Sequence, residues 1–288
     1  MKLPVTITLV AALLLLVGLF YVTTFKTDIV GGLDGSVTVD GPRDAAPMDE
    51  LTSSFTQNTM QVGPEGDRHE LTYFWLDAEP PLSSLRDPKS LYPLVVVLHG
   101  APGKAYAAKT LLDKRVRTRY PAFVMVPSIP LDAVWMFPQK LPEEFQPNLQ
   151  LNTGRRELLP YVTMMIREMI KTYPIDSKRI YIMGCSLGGF GAFGAAKDYP
   201  DLFAAAVSVS GGWTPEDAPK LTKIPILAVH GKKDDTVPAE FSRGVTDLIN
   251  QYGGHALYSE FPEMSHQCPD PALYGDYLWT WMFKQAKK

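Results

Sequence analysis

Short continuous apolar runs alternate with amphipathic stretches along most of the chain. A continuous apolar run of a few residues is typical of a strand buried on both faces, and an apolar residue every three or four positions indicates a helix with one buried face. The predicted strands are 71–76, 94–98, 122–126, 179–183, 203–209, 224–229 and 256–261. The predicted helices are 153–171, 190–197, 240–251 and 271–286. This alternation predicts an α/β protein with a mostly parallel central sheet and helices on both faces, in which the first strand is antiparallel.

The N-terminal stretch has a different pattern, because no residue between Lys2 and Lys26 is charged. A helix of this length would span about 35 Å, enough for a hydrocarbon core of about 30 Å. A cleavable signal peptide has a shorter apolar run and a small-residue cleavage site, which we do not find before Lys26. We therefore expect residues 1–26 to form a transmembrane anchor, with a cleaved signal peptide and a buried core helix as alternatives.

The remainder of the chain is divided by composition into a linker and one domain. Residues 27–54 contain scattered glycines, prolines and acids with little periodicity, which predicts a flexible linker. Residues 55–288 then form a single domain of catalytic size. Lys2 precedes the apolar stretch and mildly favours a cytoplasmic N-terminus. We expect the domain to lie outside the cytoplasm, either anchored to the membrane or, if the segment is cleaved, secreted or periplasmic.

Composition excludes several classes of protein. The chain has 288 residues, of which 45% are hydrophobic and 20% charged, a globular composition and not a disordered one. Its formal net charge of −3 gives no electrostatic footprint for nucleic acid. Two cysteines are too few for a disulfide scaffold, and no C-x-x-C pair indicates zinc. No metal or cofactor is implied, and oligomeric state is not readable from the pattern.

A candidate nucleophile follows the predicted strand 179–183. Gly184-Cys-Ser-Leu-Gly188 fits G-x-S-x-G, and a helix is predicted shortly after it. A strand, a sharp turn and a helix are the context that a nucleophile elbow requires, since the turn exposes the serine hydroxyl. We therefore expect Ser186 to be a catalytic nucleophile. The alternative is a serine that merely caps a buried helix.

A serine nucleophile needs a general base, and the base needs an orienting acid. Enzymes built on this elbow place the acid and then the histidine after the serine in the chain. Of the five histidines, two precede the serine, one ends a strand without a suitable acid before it, and one precedes the last predicted strand. His266 follows that strand in a loop and is the expected base. The acid should follow the strand 224–229, where Asp234 and Asp235 are both candidates.

The oxyanion of an acyl-transfer intermediate needs two preorganised N–H donors. One is expected to be the amide of Leu187, directly after the nucleophile. The other should come from the loop after strand 94–98, where Ala101 is the first candidate and Gly100 the second. Pro102 has no N–H and is excluded.

Two cysteines and three aromatic residues are further candidates near this site. Cys185 precedes the nucleophile and Cys268 lies two residues after the base, so a disulfide between them is possible if the domain is exported. Two free thiols are the alternative. Trp135, Phe137 and Trp213 are candidates to line a substrate pocket, although packed core or flap positions are equally compatible with the sequence.

Several stretches carry a resemblance to a known family: Tyr173-Pro-Ile-Asp176, Arg179-Ile-Tyr181, the segment 184–191, the segment 199–207 and Gly231-Lys-Lys-Asp-Asp-Thr-Val-Pro238. With the Ser-Asp-His order they resemble the α/β-hydrolase superfamily. Within it they are similar to the esterases that include feruloyl and acetyl-xylan esterases, polyhydroxybutyrate depolymerase-like proteins and related predicted peptidases. The G-x-x-D-x-x-V-P pattern of that group assigns the acid to Asp234. In tannase-type members a cysteine beside the serine bonds one beside the histidine, whereas Cys268 lies one residue further away.

The resemblance implies a serine hydrolase that cleaves carboxylic esters through an acyl-enzyme. The expected partner is an ester substrate, small or borne on a polymer, and the N-terminal segment would add the membrane. A serine peptidase or an acyltransferase using the same triad remains an alternative, as does a non-catalytic exported binding domain. The pattern does not identify the acyl or alcohol group, because fold and triad define the reaction class only.

Overall fold

The structure is a computed structural model that describes residues 51, 53–79, 90–101, 103–130, 132–139 and 155–288. Its strands are β1 (Thr56–Val62), β2 (His69–Leu76), β3 (Tyr92–Leu98), β4 (Phe123–Pro127), β5 (Ala133–Val134), β6 (Arg156–Glu157), β7 (Ile175–Cys185), β8 (Ala205–Val209), β9 (Ile226–Gly231) and β10 (Ala256–Phe261). Its α-helices are α1 (Tyr106–Thr110), α2 (Lys114–Arg119), α3 (Leu159–Thr172), α4 (Leu187–Asp198), α5 (Glu240–Gln251) and α6 (Asp276–Met282). Two 3₁₀ helices cover Pro215–Thr222 and Pro271–Tyr274.

Eight of these strands form one sheet in the order β1-β2-β4-β3-β7-β8-β9-β10. Strand β2 is antiparallel to both β1 and β4. The other six strands of this sheet are parallel to one another: β4, β3, β7, β8, β9 and β10. The two short strands β5 and β6 pair with each other. The carboxyl ends of β3, β7, β8, β9 and β10 therefore meet at one edge of the sheet, where ligands bind in open α/β sheets.

Alternate side chains of the central strands face two separate cores. In β3, Leu94, Val96 and Leu98 belong to the first cluster, while Val95 and Val97 belong to the second. Apolar residues of α3, α4 and α5 complete the first cluster, and those of α1, α2 and α6 complete the second. Burial on both faces explains why these strands read as continuous apolar runs in the sequence. The predicted sheet with helices on both faces is thus confirmed.

Several predicted boundaries were wrong. Strand β1 was missed because its side chains are mostly polar and exposed, as expected for an edge strand. The helix predicted over 153–171 begins only at Leu159, and Arg156 and Glu157 form β6 instead. Helix α4 begins directly after Ser186 and not after Gly189. The last predicted helix is a 3₁₀ turn and α6, separated at Gly275.

The N-terminal predictions fall largely outside the described residues. Residues 3–25, the predicted membrane segment, are not among them. Within the described part of the chain, no helix has the length and apolar character needed to cross a membrane. Leu51, which the sequence analysis places in the linker, is fully buried in the second core beside Phe55. The packed domain therefore includes residues before the expected boundary at 55.

Candidate active site

The turn between β7 and α4 holds Ser186 in an unusual backbone conformation. Its φ is 56° and its ψ is −119°, a region that residues with a side chain seldom adopt. Its amide donates to the carbonyl of Val209 at the end of the neighbouring strand. A side-chain carbon at Gly188 would lie 2.1 Å from the carbonyl oxygen of Leu98, so only glycine allows the helix to start this close to β3. The serine is half-exposed at the carboxyl edge of the sheet.

The loops after β9 and β10 bring together the predicted acid and base. The Nδ1 atom of His266 lies 2.8 Å from Oδ2 of Asp234. The amide of Lys233 donates to the carbonyl of Met264, which fastens the acid loop to the base loop. Gly231 permits this contact, because a Cβ there would lie within 2.6 Å of the carbonyl oxygens of both Met264 and Ser265.

The carboxylate of Asp234 is fully buried and surrounded by donors. Its Oδ1 accepts the amides of Thr236 and Val237, at 3.0 and 2.8 Å. Its Oδ2 faces His266 at 2.8 Å and His230 at 3.2 Å. Burial alone would raise the pKa of Asp234, but the hydrogen bonds from the two histidines and from the Val237 amide outweigh it, so this pKa is held well below its usual value. Asp234 is therefore ionised at neutral pH, whereas Asp235 is exposed to solvent.

A disulfide joins the elbow to the base loop. Cys185, the last residue of β7, is bonded to Cys268, and the two Cα atoms are 6.0 Å apart. The residue before Ser186 is thereby linked to the loop that carries His266, across 83 positions of sequence. Of the two alternatives that the sequence left open, the structure has the bonded form.

Reduction of this disulfide is expected to lower the free energy of unfolding by about 2–4 kcal/mol, because a cross-link over such a long loop restricts the unfolded chain. Urea denaturation of the full chain with and without a phosphine reductant measures the change. The variant Cys268→Ser should match the reduced wild type and show no response to the reductant. An unchanged urea midpoint on reduction would contradict this stabilising role.

Two backbone amides remain available beside the serine. Leu187 is the first residue of α4, and helix-terminal amides lack an intrahelical acceptor. Within the described part of the chain, neither Leu187 nor Ala101 donates its amide to another group. The amide of Gly100, in contrast, donates to the carbonyl of Lys104. A Cβ at Gly100 would lie 3.6 Å from Cβ of Ser186, so the loop that carries Ala101 runs directly past the serine.

Comparison with known proteins places these features in a family. A family model described as phospholipase/carboxylesterase matches residues 89–273, well over half of the chain. The chain belongs to the phospholipase/carboxylesterase family. The match agrees with the resemblance to α/β-hydrolase esterases found in the sequence and confirms the α/β-hydrolase fold. Members of this family are serine hydrolases of the esterase type.

Individual proteins similar to this chain have low sequence identity to it or match only part of it. A thermostable esterase of known structure has a TM-score of 0.67 and 26% identity, and the match covers 83% of this chain and 64% of that one. A bifunctional acetylxylan esterase/xylanase of Neocallimastix patriciarum is 34% identical over 77 residues, 27% of this chain and 12% of the relative. Poly(3-hydroxyalkanoate) depolymerase C of Paucimonas lemoignei is 30% identical over 120 residues, 42% of this chain and 28% of the relative. The chain thus matches less than a third of either of these two longer proteins.

The three aromatic pocket candidates of this phospholipase/carboxylesterase family member are buried. Trp135 and Trp213 are fully buried, and Phe137 is only 3% exposed. Phe137 stacks on Phe190 of α4, and the indole of Trp213 donates to Asp217. All three side chains pack in the first core. Their contribution to a substrate pocket stays a prediction.

Trp135 contacts the loop that follows β3. Its Nε1 donates to the carbonyl of His99 at 2.8 Å, and the two rings meet edge to face at 4.8 Å. Nδ1 of His99 lies 2.9 Å from the carbonyl oxygen of Gly100, and its Nε2 accepts the amide of Ile129. Burial lowers the pKa of His99 to about 4, so its ring is neutral at pH 7. These contacts hold the loop after β3 in a defined conformation.

Sequence reasoning missed the part played by His230, which contacts the same carboxylate oxygen as His266. The available signal was the position of His230, a polar residue at the end of a continuous apolar run and four positions before Asp234. Among the described residues, no group of three or more histidines, cysteines or acids is arranged to hold a metal ion.

Proposed function

We propose that this chain hydrolyses carboxylic esters with Ser186 as nucleophile, His266 as general base and Asp234 as the orienting acid. The hydrogen bond between His266 and Asp234 carries the proposal, since it fixes the tautomer in which Nδ1 holds the proton and Nε2 is free to accept one. The strained turn at Ser186 supports the role of nucleophile. Membership of an esterase-type family supports the reaction class.

The chemistry follows from these positions. His266 takes the proton of the Ser186 hydroxyl as the oxygen attacks the ester carbonyl. The amides of Leu187 and Ala101 donate to the resulting oxyanion, and the start of α4 adds the positive end of a helix. His266 returns the proton to the departing alcohol, and water, activated by the same histidine, releases the acid from the acyl-enzyme.

The disulfide between Cys185 and Cys268 supports a location for this enzyme. Disulfides persist in oxidising compartments and are rare in the cytosol. We therefore infer that the domain works outside the cytoplasm. Two relatives are named for esters carried on polymers, acetylated xylan and polyhydroxyalkanoate, so such esters are substrates to test.

The full chain is expected to hydrolyse p-nitrophenyl acetate and butyrate with saturation kinetics, because His266 is already hydrogen-bonded to Asp234 and the strained turn leaves Ser186 half-exposed. The matching acyl p-nitroanilides should react at least about 100-fold more slowly, since an amide is a poorer acyl donor and a peptidase would need to activate the amine. Release of p-nitrophenolate and p-nitroaniline measures both rates. Faster anilide cleavage would favour the peptidase alternative, and no turnover of either would contradict the proposed function.

A further inference from the structure

A second histidine contacts the proposed catalytic acid from the interior. His230 lies in β9, four residues before Asp234, and is fully buried. Its Nε2 is 3.2 Å from Oδ2 of Asp234, the same oxygen that faces His266. One carboxylate oxygen therefore lies between two imidazole rings.

Hydrogen-bond partners assign a proton to each ring nitrogen of His230. Nε2 lies 2.8 Å from the carbonyl oxygen of Val237, which can only accept, so Nε2 must donate. Nδ1 lies 2.9 Å from the hydroxyl of Ser242, and that hydroxyl gives its single proton to the carbonyl of Gly211 at 2.7 Å. The hydroxyl is then the acceptor for Nδ1. With both nitrogens donating, the ring is an imidazolium.

The surrounding charges are consistent with a buried cation. Ser242 and Arg243 come from α5, and Glu260 is the neighbour of His230 in the β9–β10 register. Arg243 and Glu260 form an ion pair with each other. The carboxylate of Asp234 is then the anion that faces His230, and a buried charge needs such a partner. His266 approaches that carboxylate from the solvent side, where its side chain is 19% exposed.

We propose that His230 is a positioning residue for the catalytic acid: as a buried imidazolium it holds Oδ2 of Asp234 in place and neutralises part of its charge. The inference rests on the proposed function. An Asp234 that already has a cationic partner stabilises the protonated form of His266 less strongly.

Kinetics of His230→Asn test the functional part of this proposal. Asparagine keeps a neutral N–H donor but removes the charge. The expected results are a kcat reduced about 10- to 100-fold with little change in KM, and an acid limb of the kcat/KM profile moved up by about one pH unit. His255→Asn is the matched control, because His255 is exposed and precedes β10 at the opposite edge of the sheet. A folded His230→Asn variant with the wild-type profile would overturn the proposal.

A second variant covers the case in which His230→Asn does not fold. Ser242→Ala removes the acceptor for Nδ1 and favours a neutral His230, so the acid limb should move in the same direction by a smaller amount. A profile identical to that of the wild type would count against the proposal. Ser186→Ala distinguishes failure of the proposed function from failure of the His230 proposal. If that variant keeps its activity, the proposed function is wrong, and the charge state of His230 is tested separately by NMR.

Nitrogen NMR of the ¹⁵N-histidine-labelled full chain reads that charge state directly. We expect one histidine whose two ring nitrogens are both protonated at neutral pH, as the hydrogen-bond partners of His230 imply. Its signals should be missing in His230→Asn and unchanged in His255→Asn. A His230 ring with only one protonated nitrogen at neutral pH would overturn the proposal.

Discussion

Replacement of Ser186 by alanine is expected to lower kcat for p-nitrophenyl butyrate by about a million-fold, as happens when the nucleophile of an intact triad is removed. The side chain is half-exposed and the backbone turn is built by neighbouring glycines, so the variant should remain folded. The residual rate then reflects the oxyanion donors and substrate binding alone. Initial rates at saturating ester measure the loss.

The matched control for this variant is a serine of β7, the strand that leads into the turn at Ser186. Ser177 lies in β7 but is exposed in the first half of the strand, far along it from the elbow. Ser177→Ala should keep the wild-type kcat, and both variants should show the wild-type urea midpoint. A Ser186→Ala variant within tenfold of the wild type would contradict the nucleophile assignment and favour a non-catalytic binding domain.

Asp234→Asn is expected to lower kcat by about ten-thousand-fold while the shape of the site is retained. The amide group of asparagine can donate to Nδ1 of His266, which would move the ring proton to Nε2. In that tautomer His266 cannot accept the serine proton. The variant also removes the buried negative charge that stabilises the imidazolium formed during attack.

Asp235→Asn is the control, because Asp235 neighbours the acid in sequence but is exposed to solvent. It should retain nearly full activity in the same ester assay. The pair also decides a question that the residues alone left open, namely which of the two adjacent carboxylates orients the base. Equal losses in the two variants, or a greater loss in Asp235→Asn, would contradict the assignment of Asp234.

The sequence predicted strands and helices with a regular hydrophobic pattern. Strand β3 reads as a continuous apolar run because both of its faces are covered, and helix α5 has one buried face. Strand β10 and α5 have the predicted boundaries, although most of β10 is only partly buried. Edge strand β1 shows no apolar run, because most of its side chains are exposed and polar residues are as suitable there as apolar ones. Helix α4 was predicted to begin three residues too late, because glycines that permit close packing resemble glycines that interrupt a helix.

The candidate site divides in the same way. Chain order and strand ends were enough to select Ser186 and His266, because parallel strands bring their carboxyl ends together. The direction of each side chain was not available, and Trp135 therefore reads equally well as pocket or core until its indole is seen bonded to the His99 carbonyl. His230 was considered only as a base, since its contact with Asp234 depends on a turn that the sequence does not specify.

Labelling by a fluorophosphonate ester tests most directly whether Ser186 is an activated nucleophile. Such reagents react covalently with an activated serine and do not depend on the binding of an ester substrate. Intact-mass and peptide mass spectrometry of the full chain should show one adduct per chain, located on Ser186. Ser177→Ala should label like the wild type, while Ser186→Ala and Asp234→Asn should label slowly or not at all. An adduct on a different residue, or no adduct on a chain that still cleaves esters, would contradict the account.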